Sequence, residues 1–190
     1  VNIPSKNING FKNLISYIKK SPIKKVLFIS STSVYKDNND IIFDNTLDSF
    51  SNNPLLEIEQ LFKQNKHFQT TILRFGGLFG YTRKPGNFFS YGISISQPNA
   101  HVNMIHRDDC IEIIYQIIEQ NSWGETFNAC ADLHPTKRQF YTKATEIIGK
   151  PAPHFMEGEA ISFKIISNDY IKKCLNYKFK HPDILKALEL

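Results

Sequence analysis

The 190-residue sequence is poor in cysteine and has no long apolar run. Its three cysteines are widely spaced and form no CxxC pair, which excludes a disulfide framework and a zinc ribbon. The apolar stretches are far shorter than the roughly 18 residues that cross a bilayer, and no signal peptide opens the chain. We therefore expect a soluble protein of the reducing cytoplasm, with no membrane partner.

The sequence also lacks a concentrated charge of either sign. Lys and Arg number 23 against 18 Asp and Glu, a formal net charge of +5, yet the basic residues occur singly or in pairs. Charge therefore does not imply nucleic acid, and no nucleic-acid-binding motif is present. The hydrophobic content of 41% can fill one sizeable core, which excludes intrinsic disorder.

Apolar periodicity predicts an alternation of strands and helices. Strands are expected at residues 26–29 (buried on both faces), 70–75, 125–130 and 161–166, with a short extended piece at 103–105. Helices are expected at residues 9–20, 54–62, 108–118, 135–148, 168–176 and 182–189. Residues 36–53 are expected to form a surface connection, and residues 76–92 a cleft wall too irregular for an element. This order predicts an α/β fold, a parallel sheet flanked by helices on both faces.

Two of the helices have defined expected ends and faces. Asp108 or Asp109 is expected to cap the helix at 108–118, whose inward stripe would be Ile111, Ile114, Tyr115 and Ile118. Residues 135–139 are typical of a capping box, and Gly149 is expected to close the helix that follows. The inward side chains of that helix would be Phe140, Ala144, Ile147 and Ile148.

The strand at residues 26–29 runs into four consecutive hydroxyl residues, Ser30 to Ser33. In open parallel sheets ligands bind beyond the carboxyl ends of the strands, so these hydroxyls are candidate ligand contacts. A hydroxyl-rich turn that only caps itself has about equal weight, because such turns are common.

Residues 26–35 (VLFISSTSVY) resemble the active-site strand of the NAD-dependent epimerase/dehydratase group of the extended and atypical short-chain dehydrogenase/reductase superfamily. Further segments resemble family motifs in the family's order: residues 73–80 (LRFGGLFG), 103–109 (NMIHRDD), 125–128 (ETFN) and 175–179 (LNYKF). The resemblance covers nearly the whole chain. It implies a Rossmann-like parallel sheet that binds NAD or NADP, a small C-terminal substrate lobe, and a nucleotide-sugar or similar small substrate.

The resemblance also implies a set of site residues. Thr32 matches the catalytic hydroxyl of the family. Cofactor contacts are expected from Ile3, Pro4, Ser30, Ser31, Arg74, Phe75 and Gly76. Substrate contacts are expected from Ser33, Tyr35, Arg83, His106 and Arg107. We expect these residues to converge on one cleft, because most of them lie at carboxyl ends of parallel strands.

The family's Tyr-x-x-x-Lys motif is not matched. When Glu59 is aligned with the Glu that follows the family's Lys by four residues, Ser51 takes the Tyr position and Leu55 takes the Lys position. A Ser hydroxyl has a far higher pKa than a phenol and cannot shuttle a proton near neutral pH. Ordinary epimerase or reductase chemistry is therefore in doubt, and the alternative is a non-catalytic ligand-binding or regulatory protein of the same fold.

The glycine fingerprint that binds the cofactor pyrophosphate in this family is also missing from the sequence. The chain begins without Met, and residues 1–3 resemble the end of the family's fourth strand. We therefore expect one α/β domain truncated at its N-terminus, the C-terminal half of the fold. The expected sheet part is residues 1–80 and 121–150, and the expected lobe is residues 81–120 and 151–190. A homodimer is left open.

Other patterns allow two interpretations each. Arg74 either meets a phosphate in the cleft, which we favour, or pairs with an acidic helix start. The aromatic residues between 75 and 91 either line a ligand pocket or pack under the lobe. Cys130 is interpreted as a buried strand residue rather than a nucleophile beside His134.

A metal cluster is a further interpretation of the region around His106, Asp108, Asp109 and Cys110. Neighbouring residues at a helix start cannot all face one ion, and no HExxH motif accompanies them. Helix capping is therefore favoured, and no metal is expected.

Overall fold

The computed structural model describes residues 7–44, 46, 49–89, 92–158 and 160–190. The helices in these ranges are α1 (Ile8–Lys19), α2 (Pro54–Lys63), α3 (Arg107–Glu119), α4 (Lys137–Ile147), α5 (Asp169–Leu175) and α6 (Ile184–Ala187). The strands are β1 (Lys25–Ser31), β2 (Asp40–Ile42), β3 (Gln69–Phe75), β4 (Gly77–Phe79), β5 (Ser94–Ile95), β6 (Met104–His106), β7 (Thr126–Ala129), β8 (His154–Phe155) and β9 (Lys164–Ile166).

The main sheet has the strand order β1-β3-β7, and both pairings are parallel. In this register Ser30 lies beside Arg74, and Arg74 lies beside Asn128. The sequence prediction of three parallel neighbours is confirmed. The register matters for the site, because it places one polar residue from each strand in a row at the carboxyl end of the sheet.

Helices cover both faces of this sheet, as the sequence predicted. On one face α1 and α2 bury the residues Phe11, Ile15, Ile18, Leu55, Ile58 and Phe62 against Phe28 and Ile72. On the other face α3 and α5 bury Ile113, Ile117, Ile171 and Leu175 against Leu73, Phe75 and Phe127. Each such side chain contributes about 1.5–3 kcal/mol when it leaves water, so these two layers hold the sheet.

Three short parallel pairings join segments that are distant in the sequence: β2 with β9, β4 with β6, and β5 with β8. They correct two expectations. The connection at residues 36–53 contains β2, and the segment at 76–92 contains β4. Strands of two or three residues are too short to show a periodicity in the sequence. Their partners also lie 27 to 124 residues away, so no local pattern marks the pairing.

The inward face of α3 was predicted wrongly. Ile111, Tyr115 and Ile118 are 57%, 54% and 53% exposed, whereas the stripe one residue earlier is buried. That buried stripe consists of Cys110, Ile113 and Ile117, with Ile114 packed beside it. Both stripes satisfy the helical spacing, and packing against Leu73, Phe75 and Phe127 of the sheet selects the stripe that contains Ile113.

Two smaller predictions were also wrong. Strand β1 is not buried on both faces, since Ile29 is 46% exposed. Ile29 lines the open groove along β1, which is the edge strand of the described sheet. In α4, Ile147 is 36% exposed, while Phe140 and Ala144 are buried as expected.

The helix ends follow local sequence signals. Pro54 stands in the first turn of α2, and the Asn53 side chain accepts a hydrogen bond from the Leu55 N–H. Thr136 and Gln139 form the expected capping box of α4. Within the described ranges no helix combines the length and the apolarity that crossing a membrane requires.

Candidate functional site

A buried polar network lies at the carboxyl ends of β1, β3 and β7. The Ser30 hydroxyl donates to Glu59 Oε1 at 2.5 Å. Arg74 donates through Nε to Glu59 Oε1 at 3.0 Å and through Nη2 to Oε2 at 2.5 Å. Ser30, Glu59 and Arg74 are 6%, 2% and 5% exposed, so these are charge-assisted hydrogen bonds away from bulk water. The network fixes α2 to two strands of the sheet.

Arg74 thus pairs with an acidic residue of α2, although Glu59 lies in the middle of that helix and not at its start, as the second interpretation had it. Its remaining Nη1 donates to the Tyr35 hydroxyl at 2.5 Å. Its guanidinium carbon lies 5.1 Å from the centre of the Tyr35 ring and 5.0 Å from that of Phe50. The expected cofactor contact of Arg74 stays a prediction, and its donors already have protein partners.

Tyr35 continues the network towards β7. Its hydroxyl donates to Asn128 Oδ1 at 3.0 Å, and its ring stacks on Phe50 at 5.2 Å. Burial raises the pKa of Tyr35 above its ordinary value, so the phenol is protonated at neutral pH and serves as the donor to Asn128. At 2% exposure the side chain is part of the interior, although the sequence assigned it to substrate binding.

Asp44, in the loop after β2, completes the network. No functional role was predicted for this loop from the sequence. Its Oδ1 accepts the backbone N–H of Asn128. Burial raises the pKa of the Asp44 carboxyl from 3.8 to about 6, and Asp169 adds a smaller effect in the same direction. No local sequence signal marks Asp44, because its partner lies on a strand 84 residues away.

The hydroxyl turn after β1 is held by side chains from the loop before α2. Ser51 Oγ donates to the Val34 carbonyl at 3.0 Å, and Asn53 Nδ2 donates to the Ser33 carbonyl at 3.0 Å. Ser31 Oγ accepts from the Ser33 N–H at 3.1 Å. The self-capping turn considered from the sequence is thus present, and Ser31 and Ser33 remain accessible at the surface.

Thr32, matched to the catalytic hydroxyl, is 6% exposed. Beside this turn an open groove of about 850 Å³ runs along β1 and is lined at the turn by Ser31, Ser33, Asn53 and Leu55. Ile3 and Pro4, two of the expected cofactor contacts, lie outside the described residues. The turn and the groove together form the surface where the expected ligand contacts of β1 are found.

Gly76 and Phe75, the other expected cofactor contacts, are closely packed. Phe75 is 5% exposed within the core on the α3 side. A Cβ on Gly76 would lie 2.6 Å from both the Asn103 carbonyl oxygen and Cys130 Sγ. Gly76 is therefore needed for the close approach of three chain segments. Cys130 is fully buried, as expected.

Arg83, His106 and Arg107 belong to an aromatic cluster in the part of the chain predicted as the lobe. Arg107 lies 3.7 Å from the centre of the Tyr81 ring, and His106 packs edge-on against Phe79 at 5.3 Å. Arg83 donates to the Leu78 carbonyl at 2.8 Å and lies 4.9 Å from the Phe88 ring centre. Their convergence with the hydroxyl turn on one cleft stays a prediction.

His106 is the N-cap of α3, which corrects the expectation of an aspartate cap. Its Nδ1 accepts from the Asp108 N–H at 3.3 Å, and the His106 and His181 rings are 4.2 Å apart. Asp109 is instead fully buried and accepts from the Tyr177 hydroxyl at 2.6 Å and the Lys180 N–H at 2.6 Å. The capping interpretation of this region is thus supported, with His106 in place of the aspartates.

Known proteins place the chain in a family. A model of the NAD dependent epimerase/dehydratase family matches residues 2–130. The chain belongs to this family. Protein YeeZ of Escherichia coli strain K12 is 30% identical over 182 residues, which cover 94% of this chain and 66% of YeeZ. The chain therefore spans just under two thirds of the length of this curated relative.

Solved structures share the fold of this family member. A conserved protein of unknown function from Silicibacter pomeroyi DSS is 20% identical, has a TM-score of 0.83, and is matched over 100% of this chain and 74% of its own. MoeE5 in complex with UDP-glucuronic acid and NAD is 13% identical, has a TM-score of 0.76, and is matched over 94% and 67% of the two chains. At these identities the similarity shows a Rossmann-like fold and nothing finer.

Proposed function

We propose that the full-length protein binds a nicotinamide cofactor and a nucleotide-sugar or similar small substrate, and that it does so without efficient hydride transfer. The observation that carries the proposal is the environment of Ser51 and Leu55, which the alignment on Glu59 assigns to the positions of the family's Tyr and Lys. Ser51 donates its hydroxyl to the Val34 carbonyl, and Leu55 packs in the core on the α2 face. Neither side chain can move a proton at neutral pH.

The residues around the hydroxyl turn fit the nicotinamide end of such a cofactor. Ser31 and Ser33 have accessible hydroxyls beyond the carboxyl end of β1, where ligands bind in open parallel sheets. When bound, the cofactor would supply a hydride acceptor or donor. The chain would supply hydrogen bonds from the hydroxyls of the turn. The pyrophosphate is expected to need the glycine fingerprint, which is not in this sequence.

The substrate class rests on the family and on its fold relatives. MoeE5, which shares the fold, was solved with UDP-glucuronic acid and NAD. In this chain Arg83 and Arg107 offer cationic groups in the predicted lobe, and an anionic substrate group would bind such groups through charge-assisted hydrogen bonds. NAD and NADP are both retained as cofactors, because this sequence has no glycine fingerprint from which the residue that selects between them could be located.

A cofactor titration of the full-length protein tests the binding half of the proposal. Ser31→Trp places a bulky side chain at the hydroxyl turn, and Ser96→Trp, at an exposed position elsewhere, is the matched control. Calorimetry with NAD and with NADP should show saturable binding that Ser31→Trp weakens about tenfold or more and Ser96→Trp leaves unchanged. Equal binding by both variants would place the cofactor elsewhere.

A ligand-binding regulatory protein of the same fold is the second candidate function. Such a protein would use the same binding site, but ligand binding would serve regulation and would not lead to a reaction. The absence of a Tyr and a Lys at the two positions aligned with the proton shuttle favours it over an active enzyme.

A further inference from the structure

A second open groove lies at the opposite edge of the main sheet from β1. It has a volume of about 880 Å³ and is lined by residues of α2, β7 and α5 together with the loop at Phe43, Asp44 and Phe50. We name it the α2–α5 groove. Small-molecule sites usually have volumes of about 300–1,000 Å³, and the volume of this groove falls within that range. It is separate from the hydroxyl turn, which lines the groove along β1.

One end of the α2–α5 groove is acidic. Asp44 is fixed there by its hydrogen bond from the Asn128 N–H, and Asp169 of α5 lies near enough to raise its pKa. Arg74, the cation that faces Asp44, is already paired with Glu59. Asp44 therefore remains a carboxylate whose nearest positive charge is shared with another acid.

The other end of the same groove is basic. Lys63 of α2 donates to the Thr126 hydroxyl at 3.0 Å. Lys173 of α5 lies one helical turn beyond Asp169. The groups that anchor the two ends, Thr126 and Asn128, are two residues apart on β7 and so about 6.6 Å apart along the strand. The groove thus holds the Asp44 carboxylate beside Asn128 and the Lys63 ammonium beside Thr126, so the spacing of the two anchoring residues on β7 sets the separation of the opposite charges.

Two more carboxylates and two aromatic rings also line the groove. Glu59 is paired with Arg74, and the Glu125 carboxylate accepts the Tyr170 hydroxyl at 2.6 Å. The rings of Phe43 and Tyr170 are 47% and 39% exposed, which offers aromatic faces to an organic cation.

We propose that the α2–α5 groove binds a small zwitterion of the amino-acid type. Its ammonium group contacts Asp44 and Asp169, and its carboxylate contacts Lys63 and Lys173. Both contacts are charge-assisted hydrogen bonds in a partly enclosed site. The inference does not depend on cofactor binding at the hydroxyl turn, and either can fail without the other.

Binding is coupled to the ionisation of Asp44, whose pKa is about 6 in the free protein. The charged groups that face this carboxyl are Arg74 from β3 and Asp169 from α5. An ammonium group favours the carboxylate, so the ligand lowers the pKa of Asp44 and affinity rises as the pH increases through about 6. A ligand held only by the lysines would show the opposite trend or none.

The test is calorimetry of the full-length protein with glycine, β-alanine, γ-aminobutyrate and δ-aminovalerate, together with pentylamine and valerate. The affinity should rise along the amino-acid series to δ-aminovalerate, whose extended chain best matches the spacing of the two ends. Pentylamine and valerate, which carry one charge each, should bind about tenfold more weakly than δ-aminovalerate.

Variants assign the binding to the groove. Asp44→Asn and Lys63→Gln should each weaken δ-aminovalerate about tenfold, and Asp44→Asn should also remove the rise in affinity between pH 5 and pH 7, roughly the window of the Asp44 carboxyl. Lys172→Gln is the matched control, because Lys172 pairs with Asp132 at 3.0 Å outside the groove. No saturable binding of any compound, or binding that Asp44→Asn and Lys63→Gln leave unchanged, would overturn the proposal.

Discussion

Glu59 holds Arg74 in a bidentate ion pair inside the protein, with N···O distances of 3.0 and 2.5 Å. The pair joins α2 to the central strand β3, and Ser30 of β1 adds a third hydrogen bond to Glu59. Because these groups are buried, each depends on its partners for the hydrogen bonds that water would otherwise supply. The pair therefore holds together the strand ends that carry the hydroxyl turn.

Glu59→Gln should destabilise the fold strongly, because it leaves the Arg74 charge buried without its counter-ion. We expect a loss of about 3 kcal/mol in the free energy of unfolding, measured by urea denaturation. Glu57→Gln, an exposed position two residues earlier on α2, is the control and should change stability by less than about 0.5 kcal/mol. Similar effects of the two substitutions would contradict the role given to the ion pair.

Tyr35→Phe should cost about 1–2 kcal/mol in the free energy of unfolding. The substitution removes the donor to Asn128 Oδ1 and the acceptor of Arg74 Nη1, and leaves both partners buried. Tyr17→Phe, at a position that is 72% exposed, provides the comparison in the same urea titrations. A neutral Tyr35→Phe would mean that the hydroxyl adds nothing to the network.

Asp44 should make stability depend on pH. Its folded-state pKa of about 6 exceeds the ordinary value of 3.8. The linked stabilisation is therefore fully present below about pH 4 and is lost as the pH rises through about 6. Asp44→Asn keeps an oxygen that accepts the Asn128 N–H but has no charge to bury.

Urea denaturation of both proteins across this range checks the expectation. Near pH 4 the two proteins should differ little, and at pH 8 Asp44→Asn should be more stable by up to about 3 kcal/mol, because each unit of pKa shift is worth about 1.4 kcal/mol. If the difference in free energy of unfolding between the two proteins stays constant from about pH 4 to about pH 8, the pKa of the Asp44 carboxyl is not raised in the folded protein.

Gly76→Ala should disturb the meeting point of three segments. The added Cβ would lie 2.6 Å from the Asn103 carbonyl oxygen, a backbone atom that cannot turn aside. We expect a loss of about 1–3 kcal/mol, seen as a lower thermal midpoint. Gly77→Ala is the neighbouring control, since its short contacts are with the flexible Met104 side chain. A larger loss for Gly77→Ala would refute the explanation.

The sequence predicted the sheet because each of its strands carries its own signal. Phe28 and Ile72 lie in short apolar runs, Phe127 alternates with polar neighbours, and the intervening helices set the parallel connection. The phase of α3 could not be predicted in the same way. Two overlapping stripes, one containing Ile111 and one containing Ile113, satisfy the same spacing, and tertiary packing selects between them.

The site was predictable only where a motif marks it. The hydroxyl turn was found from its position after a buried strand, and Glu59 was noted only as the residue that anchors the alignment with the family. The partners Asp44 and His181 were not, because their contacts with Asn128 and Asp108 span 84 and 73 residues. Short-range patterns carry no information on such pairs, and only the folded chain brings them together.

The central claim is that the protein keeps a nicotinamide site but lacks the proton shuttle of its family. The most direct measurement follows nicotinamide absorbance in the full-length protein that calorimetry shows to bind cofactor, supplied with a panel of nucleotide sugars. We predict no turnover above background in the wild type and none in Ser51→Ala. Turnover that is lost in Thr32→Ala and retained in Ser51→Ala would reveal another acid/base and contradict the account.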